Sequence, residues 1–492
     1  MGKLFIFGIG GTGARVMRSL TFLSAAGAAF QSATVIPILI DTDAQNGDTI
    51  RTLRLLDMYE TLRKERTGGD FFSTDIQKLS SMQLAGDTQK EQIDKSYLLK
   101  FSQANITFAD YLGVSRLGPA LQDPSRALLE MLYDKSEKNK QSAELNLDMS
   151  VGFKGNPNIG ALVFNDFRQS AAYKFFEAAF NENDKIIIVG SVFGGTGASG
   201  IPVLVNTIRA SANPVINVAK IGTVLVLPYF GIQGRNDSAI NDQLFNTKAV
   251  AALSYYSNHM YSKINAVYYI GDSVKPSPFE NNEGGTKQAN SAHAVELFAA
   301  CALSHFDREA DNLGAATSFF EFGVKNKNLP LSTSLHFGEQ FLRQVIKPMA
   351  TFMLFTTLLN RTLAANDTFS ARKDAGISGN WLGALGGSYA LLEEFLNRFS
   401  DWLNELANET QTFKPFNNHN WHTADPNTFL MGKELKASLL GFAKIGPKPA
   451  ELSTAMHELI KANKAKTGTF PVIFESFHKA AEQLMNAHYS NL

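Results

Sequence analysis

A single cysteine, Cys301, occurs in the 492 residues, so no internal disulfide can form and the chain suits a reducing compartment. Neither sign of charge is in excess: Lys plus Arg and Asp plus Glu both number 46. A global pull toward nucleic acid or an anionic membrane is thereby excluded. The longest apolar stretch of the C-terminal half, Pro348–Leu359, is far short of a membrane span and is broken by threonines. The opening MGKLFIFGIGG has one lysine and runs straight into glycines, without the longer apolar core and cleavage site of a signal peptide. A cytoplasmic location is expected. Internal repeats and low-complexity tracts are absent. His419 and His422 (HNWH) have no further His/Cys cluster beside them, so a polar loop is expected there and no metal site. What remains is globular in composition, 44% apolar and 19% charged, and long enough for two or three structural units.

Short β-branched or aromatic runs recur through the first half: Leu4–Phe7, Val35–Ile40, Lys185–Val189, Thr223–Leu227 and Ala266–Ile270. Helix-like stretches follow several of them, such as Ala14–Phe22 and Pro202–Ala210. Strands alternating with helices predict an α/β fold with a mostly parallel sheet covered on both faces. IIIV and TVLVL are apolar on both faces, as buried parallel strands require. Residues 48–148 break this rhythm with charge runs (Arg63-Lys64-Glu65-Arg66, Lys135–Lys140) and read as a helical insertion. After the loop Pro276–Gly285 a long helix is predicted from Lys287 to about Phe306, with Ala294, Leu297, Phe298, Cys301 and Ala302 as a buried stripe. Cys301 on that stripe reads as a buried, inert thiol. Beyond it the pattern is helical: Gly338–Arg361 with a kink at Pro348, an apolar face from Leu391 to Leu406, then Glu451–Lys464 and Ser476–Tyr489.

Two glycine loops carry the chemistry. Gly8–Gly13 (GIGGTG) follows a strand and opens a helix, where glycines let the backbone approach a phosphate and free N–H groups meet the anion. On that loop alone, with Asp41 meeting a ribose, an NAD-dependent Rossmann enzyme is an open reading. The second loop, Gly194–Gly200 (GGTGASG), follows the buried strand Ile186–Val189. It can form an anion-binding nest, with Thr196 and Ser199 adding hydroxyls. No G-K-[ST] follows its glycines, so it is not a Walker loop. Two such loops suggest a polyphosphate gripped from two sides by backbone amides.

These segments resemble the tubulin/FtsZ superfamily. GGTGASGIP at Gly194–Pro202 looks like its signature phosphate loop, and GIGGTGARV at Gly8–Val16 is similar to the first glycine loop of FtsZ. DTDAQ at Asp41–Gln45 matches the FtsZ segment NTDAQ, and GNPNIG at Gly155–Gly160 resembles the third loop, GxNPEVG. The resemblance covers about Gly8 to Pro202 and fades after Pro228. It implies a parallel-sheet nucleotide-binding domain over residues 1–275, a central helix over 286–312 and a helix-rich C-terminal domain over 313–492.

The resemblance further implies that Gly10, Gly11 and Thr12 contact phosphates, with Asp43, Ala44 and Gln45 near the phosphates or their Mg²⁺. Gly155 and Asn156 would approach the γ-phosphate. Gly194, Gly195, Thr196, Gly197, Ala198 and Ser199 would wrap the α- and β-phosphates, Ser199 standing where the family has glycine. Pro228, Tyr229 and Phe230 would follow the sugar. Arg15 occupies the first base-reading position of the family, and Asn290 is the candidate for the second. The implied cofactors are GTP or GDP with Mg²⁺, and the implied partner is a second copy of the chain, stacked head to tail into a filament. The family's N-x-D-x-x-D hydrolytic pattern does not appear after Phe306; Asp307, Glu309 and Asp311 lie at the corresponding distance, with Asp307 and Asp311 the catalytic candidates. Two functions stay open: a prokaryotic tubulin-like GTPase that forms filaments, and a nucleotide-binding regulator or scaffold that neither polymerises nor hydrolyses.

Overall fold

A computed structural model describes residues 2–43, 45–66, 68–82, 93–99, 106–119, 122–133, 144–153, 155–232, 242–272, 278–279, 285–322, 331, 336–364, 381–408, 413–417, 419–420, 422 and 470–488. Lys135–Lys140, Glu451–Lys464, Ala44 and Tyr489 lie outside the described residues.

The strands are β1 (Lys3–Ile9), β2 (Thr34–Ile40), β3 (Leu98–Leu99), β4 (Lys185–Ser191), β5 (Lys220–Val226), β6 (Gly231–Ile232), β7 (Ala266–Ile270), β8 (Pro278–Phe279) and β9 (Ser318–Glu321). Seven of them form one sheet in the order β3-β2-β1-β4-β5-β7-β9, parallel throughout. β6 and β8 make a separate parallel pair. The expected apolar runs supply the inner strands, and β4 is buried at every position, as a strand covered on both faces must be. The edge strands carry no comparable signal: β3 has two residues, and β9 alternates half-buried with exposed positions.

Side chains on alternate positions of β1 meet different layers. On one face, helix α1 (Gly10–Ala25) comes so close that a Cβ on Gly13 would sit 2.8 Å from the Gly8 Cα. The same face carries the central helix Ala294–Glu309, whose Phe306 ring fills the space a side chain on Gly222 would need. On the other face, Phe5 and Phe7 pack edge-on against Phe176 at 5.0 and 5.2 Å, and Ile9 abuts Gly200 of the helix Gly195–Arg209. The α/β expectation therefore holds, with helices on both faces of a parallel sheet.

Three elements differ from the sequence reading. Helix α2 (Gly47–Lys64), at the start of the expected insertion, is part of the core, burying Leu55, Leu56, Tyr59 and Leu62. The central helix begins at Ala294 and not near Lys287, because His293 and Glu296 form a capping box while the preceding backbone bonds to α2 through Asp48 N to Gln288 O, 2.9 Å, and Asn290 N to Asp48 Oδ1, 3.1 Å. Before Pro348 the helix takes one π-helical turn, Leu342–Ile346, which relieves the clash and missing N–H that proline imposes on the previous turn.

The helix Trp381–Asn408 turns its predicted apolar face, Phe395, Phe399 and Trp402 included, into the core. Phe22 of α1 meets Phe395 at 5.5 Å and Trp402 at 5.0 Å. Ser476 onward lies in the helix Phe470–His488. Cys301 is half-buried, and burial pushes its thiol up to about 12, leaving it unreactive near neutrality. Among the described residues no helix is long and apolar enough to cross a membrane. Trp402→Ala should cost about 3–5 kcal/mol, read as a lower urea midpoint. An unchanged midpoint would show that the Trp381–Asn408 helix is not anchored through this contact.

Candidate functional site

Strand order alone marks a crevice. From β1 the chain proceeds outward through β2 to β3, then returns to place β4 on the other side of β1. α1 leaves β1 toward one face and the helix Gly195–Arg209 leaves β4 toward the other, so the sheet opens between them at its C-terminal edge. Gly10 stands there with φ of +67°, a conformation that favours glycine. A Cβ on Gly10 would lie 3.3 Å from Thr196 Cβ. One on Gly195 would lie 2.9 Å from Gly155 N and 3.2 Å from Asn156 N. One on Gly152 would lie 3.9 Å from Thr42 Oγ1 and 4.0 Å from Thr196 Oγ1. The first glycine loop, the segment after β2, the Gly155 loop and the Gly194 loop thus meet at one place.

Helix capping separates this place from the rest of the sheet region. α2 is capped by Asn46, and the helices starting at Pro124, Ala171, Pro214 and Ala294 are capped by the side chains of Asp123, Ser170, Asn213 and His293. α1, the helix Gly195–Arg209 and the helix Pro157–Phe164 have no side-chain cap. Their free N–H groups face the crevice loops, and their dipoles add positive potential there. Asn156 holds the N-cap position of the third but bonds only through its backbone, N to Phe153 O at 2.8 Å. Together these ends form a cradle suited to an anion with several oxygens.

The expected contact residues divide. Gly10, Thr196, Gly195, Gly155 and Asn156 stand at the meeting point of the loops, whereas Gly11 neighbours Asn46, Thr12 accepts from Arg15 and Gly194 neighbours Ser191. Gly197, Ala198 and Ser199 are already inside the helix: Gly197 abuts Ser191, Ala198 O accepts the Tyr256 hydroxyl at 2.7 Å, and the Ser199 hydroxyl donates back to Gly195 O at 2.7 Å. Asp43 is buried and holds its own turn, accepting from Gln45 N at 3.0 Å and Gly285 N at 2.7 Å. Gln45 is exposed. Asn290 is tied down through its backbone, its carbonyl accepting from Arg51 at 2.5 Å.

Arg15 is buried beside the cradle and fully engaged. Its Nε donates to Glu296 Oε1 at 2.5 Å, and its terminal nitrogens donate to Asp48 Oδ2 at 2.7 Å, the Tyr229 hydroxyl at 2.7 Å and Thr12 Oγ1 at 3.3 Å. The Tyr229 hydroxyl donates in turn to Glu296 Oε1 at 2.5 Å. Burial pushes the Glu296 carboxyl up, and Arg15 and Tyr229 pull it back. The expected sugar-side residue Tyr229 thus belongs to a charge cluster that locks α1, α2, the segment after β5 and the central helix together.

Asp307 and Asp311 sit at the opposite edge of the sheet. Asp307 is fully buried and accepts from Gln31 N at 2.6 Å, Ser32 N at 2.8 Å and the Ser32 hydroxyl. Asp311 is largely exposed and pairs with Lys185 at 2.9 Å; the same ammonium donates to Asp307 O at 2.7 Å.

No family model and no curated protein matches the chain. Solved structures do. The chain is similar in fold to FtsZ and CetZ. An empty FtsZ dimer from M. jannaschii matches at 15% identity and a TM-score of 0.29, over 68% of this chain and 58% of that one. CetZ from Methanosaeta thermophila matches at 13% and 0.29, over 63% and 52%. CetZ2 from Haloferax volcanii, solved as a GTPγS-bound protofilament, matches at 13% and 0.28, over 62% and 59%. The chain spans about half the length of these solved chains. The α/β architecture stands on the strand order of this chain itself.

Three further residues stand at the site: Asp41 and Thr42 lie in the DTDAQ segment, and only Lys248 carries no sequence signal. Thr42 is buried between the loops, its hydroxyl without a partner among the described residues. Lys248, on the helix Asp242–His259, donates to Gly155 O at 2.8 Å. Asp41 is buried at the end of β2, and burial, with Asp43 adjacent, raises its carboxyl to about 7. Its oxygens accept from Asp43 N at 3.2 Å and Thr49 Oγ1 at 3.4 Å. Because the fold favours the neutral acid, Asp41 costs stability progressively as pH climbs from the ordinary carboxylate range to about 7, reaching up to about 4 kcal/mol above it. Asp41→Asn, neutral at every pH, should raise the urea midpoint of the ligand-free protein at about pH 8 and lose that advantage by about pH 4. A difference that does not vary with pH would contradict this assignment.

Proposed function

We propose that this protein binds a nucleoside triphosphate across the β1/β4 crevice and assembles head to tail through it. The observation that carries the reading is the meeting of three uncapped helix N-termini at a topological switch point, whereas α2 and the helices starting at Pro124, Ala171, Pro214 and Ala294 are capped by side chains. Guanine is the proposed base, on the likeness of GIGGTG, DTDAQ, GNPNIG and GGTGASG to the tubulin/FtsZ loops. Mg²⁺ would rest mainly on phosphate oxygens and water, with Asp41 the carboxylate at hand.

The two ends of the sheet suit such an assembly. The phosphate cradle lies at the C-terminal edge and Asp311 at the N-terminal edge, so a translational stack apposes them. Such heterologous contacts extend into filaments unless they close into a ring. Turnover in that stack is slow in this reading, because Asp307 is committed to Gln31 and Ser32 and Asp311 to Lys185. That engagement also favours the second reading, a nucleotide-holding regulator or scaffold without hydrolysis.

Sedimentation at micromolar protein should show a pellet that depends on GTP and Mg²⁺, with little phosphate released. A profile unchanged by nucleotide overturns assembly, and brisk release rising with protein concentration overturns slow turnover. Gly195→Val should weaken GTP binding by at least about tenfold, since its side chain would drive into Gly155 N and Asn156 N. Wild-type affinity in that variant would place the nucleotide elsewhere.

A further inference from the structure

The loops Gly8–Gly13 and Gly194–Gly200 contain no lysine, yet among the described residues an ammonium reaches the cradle from a separate helix. Lys248 lies on the helix Asp242–His259, and its Nζ is 2.8 Å from Gly155 O. A Cβ on Gly155 would come within 2.9 Å of that Nζ. The same glycine, at φ of +76°, places its own N–H side against Gly195 at the start of the signature-loop helix. Lys248 therefore stands on the Gly155 loop, whereas the Gly10 turn has Thr196 and Gly197 as its near neighbours.

The charge at this position has no counterpart. Among the described residues no carboxylate pairs with Lys248, and its one hydrogen bond is to a neutral carbonyl. Half-burial lowers its pKa, with no acidic neighbour to raise it again. A second polar group near the Gly152 end of the same loop is unsatisfied: the hydroxyl of Thr42, a residue only 3% exposed, has no partner among the described residues. A partly buried cation beside free helix N–H groups raises the local positive potential without compensation, a cost that an entering anion offsets.

We propose that Lys248 binds the terminal phosphate of the nucleotide, and so makes the site select triphosphates over shorter phosphate chains. This inference rests on the proposed nucleotide site. A phosphate chain that starts between Gly10 and Thr196 and runs along the helix ends toward Gly155 meets Lys248 only at its far end. One or two phosphates fill the cradle without reaching it. A hydrogen-bonded ammonium on a phosphate oxygen contributes more than a neutral donor does, and it acts here as a point charge on a flexible stem.

The test measures GTP, GDP and GMP affinities by calorimetry for wild type, Lys248→Met and Lys248→Arg, with the melting temperature of each recorded with and without ligand. Lys248→Met keeps the apolar stem and removes only the charge, so the ligand-free variant should melt at or above wild type. Its affinity for GTP should fall by about tenfold or more, its affinity for GMP should change by less than about threefold, and Lys248→Arg should recover most of the loss. Equal GTP affinity in wild type and Lys248→Met, or an equal loss for GTP and GMP, overturns the role of Lys248 while leaving the nucleotide site intact. A wild-type protein that binds none of the three overturns the site itself. If Lys248→Met does not fold, Lys248→Gln is read by the same criteria.

Discussion

The buried guanidinium of Arg15 holds the functional end of this molecule in register. It reaches Asp48 on α2, Glu296 on the central helix and Tyr229 after β5 from a single position on α1. None of these groups can be removed without leaving a partner charged or polar and desolvated, a loss of about 3–5 kcal/mol for a buried ion pair. The cluster fixes the distance between α1 and the central helix, and through Asp48 it holds the residue 285–293 segment against α2. With those elements fixed, the turn at Gly10 is presented to Thr196 at close range. The arrangement is costly to assemble from charged groups, and its return is rigidity where a ligand needs preformed donors.

Around that frame, the proposed anion binding falls to the backbone. Helix N-termini offer N–H groups already aimed and already partly desolvated, so little reorganisation is needed when a phosphate arrives. Side-chain caps would compete for the same N–H groups. Their absence from the three helices that meet at the crevice, and their presence on neighbouring helices, sets the crevice apart from the rest of the sheet region. The charge that the loops Gly8–Gly13 and Gly194–Gly200 lack is, in the proposed reading, supplied by Lys248 on a separate helix. Arg15, which lies closer to the cradle in sequence, is neutralised by Asp48 and Glu296 and is held in place.

Much of this was legible from residues alone, for identifiable reasons. β1, β2, β4, β5 and β7 are runs apolar on both faces, and Gly8–Gly13 and Gly194–Gly200 punctuate two of them, so the parallel sheet and the glycine turns at its crevice follow from local pattern. Long-range pairing is what local pattern cannot show. The partners of Arg15 lie 33, 214 and 281 positions away, and nothing near Arg15 in sequence distinguishes a locked ion from a ligand contact. Ser199 looks like a loop hydroxyl until the helix is seen to begin at Gly195 and to take that hydroxyl back to its own carbonyl. Asp307 likewise appears to be a solvated helix-end acid, and only the fold brings Gln31 and Ser32 onto it. Lys248 sits in a helix of ordinary composition and gains meaning only from the carbonyl it touches.

The central claim is that the crevice between β1 and β4 holds a nucleoside phosphate. Freshly purified protein, denatured and its supernatant resolved by anion-exchange chromatography, tests this most directly. The account predicts GTP or GDP at about one per chain, or the same loading after incubation with GTP and Mg²⁺. Protein that releases no nucleotide, and takes none up when it is supplied, would contradict it.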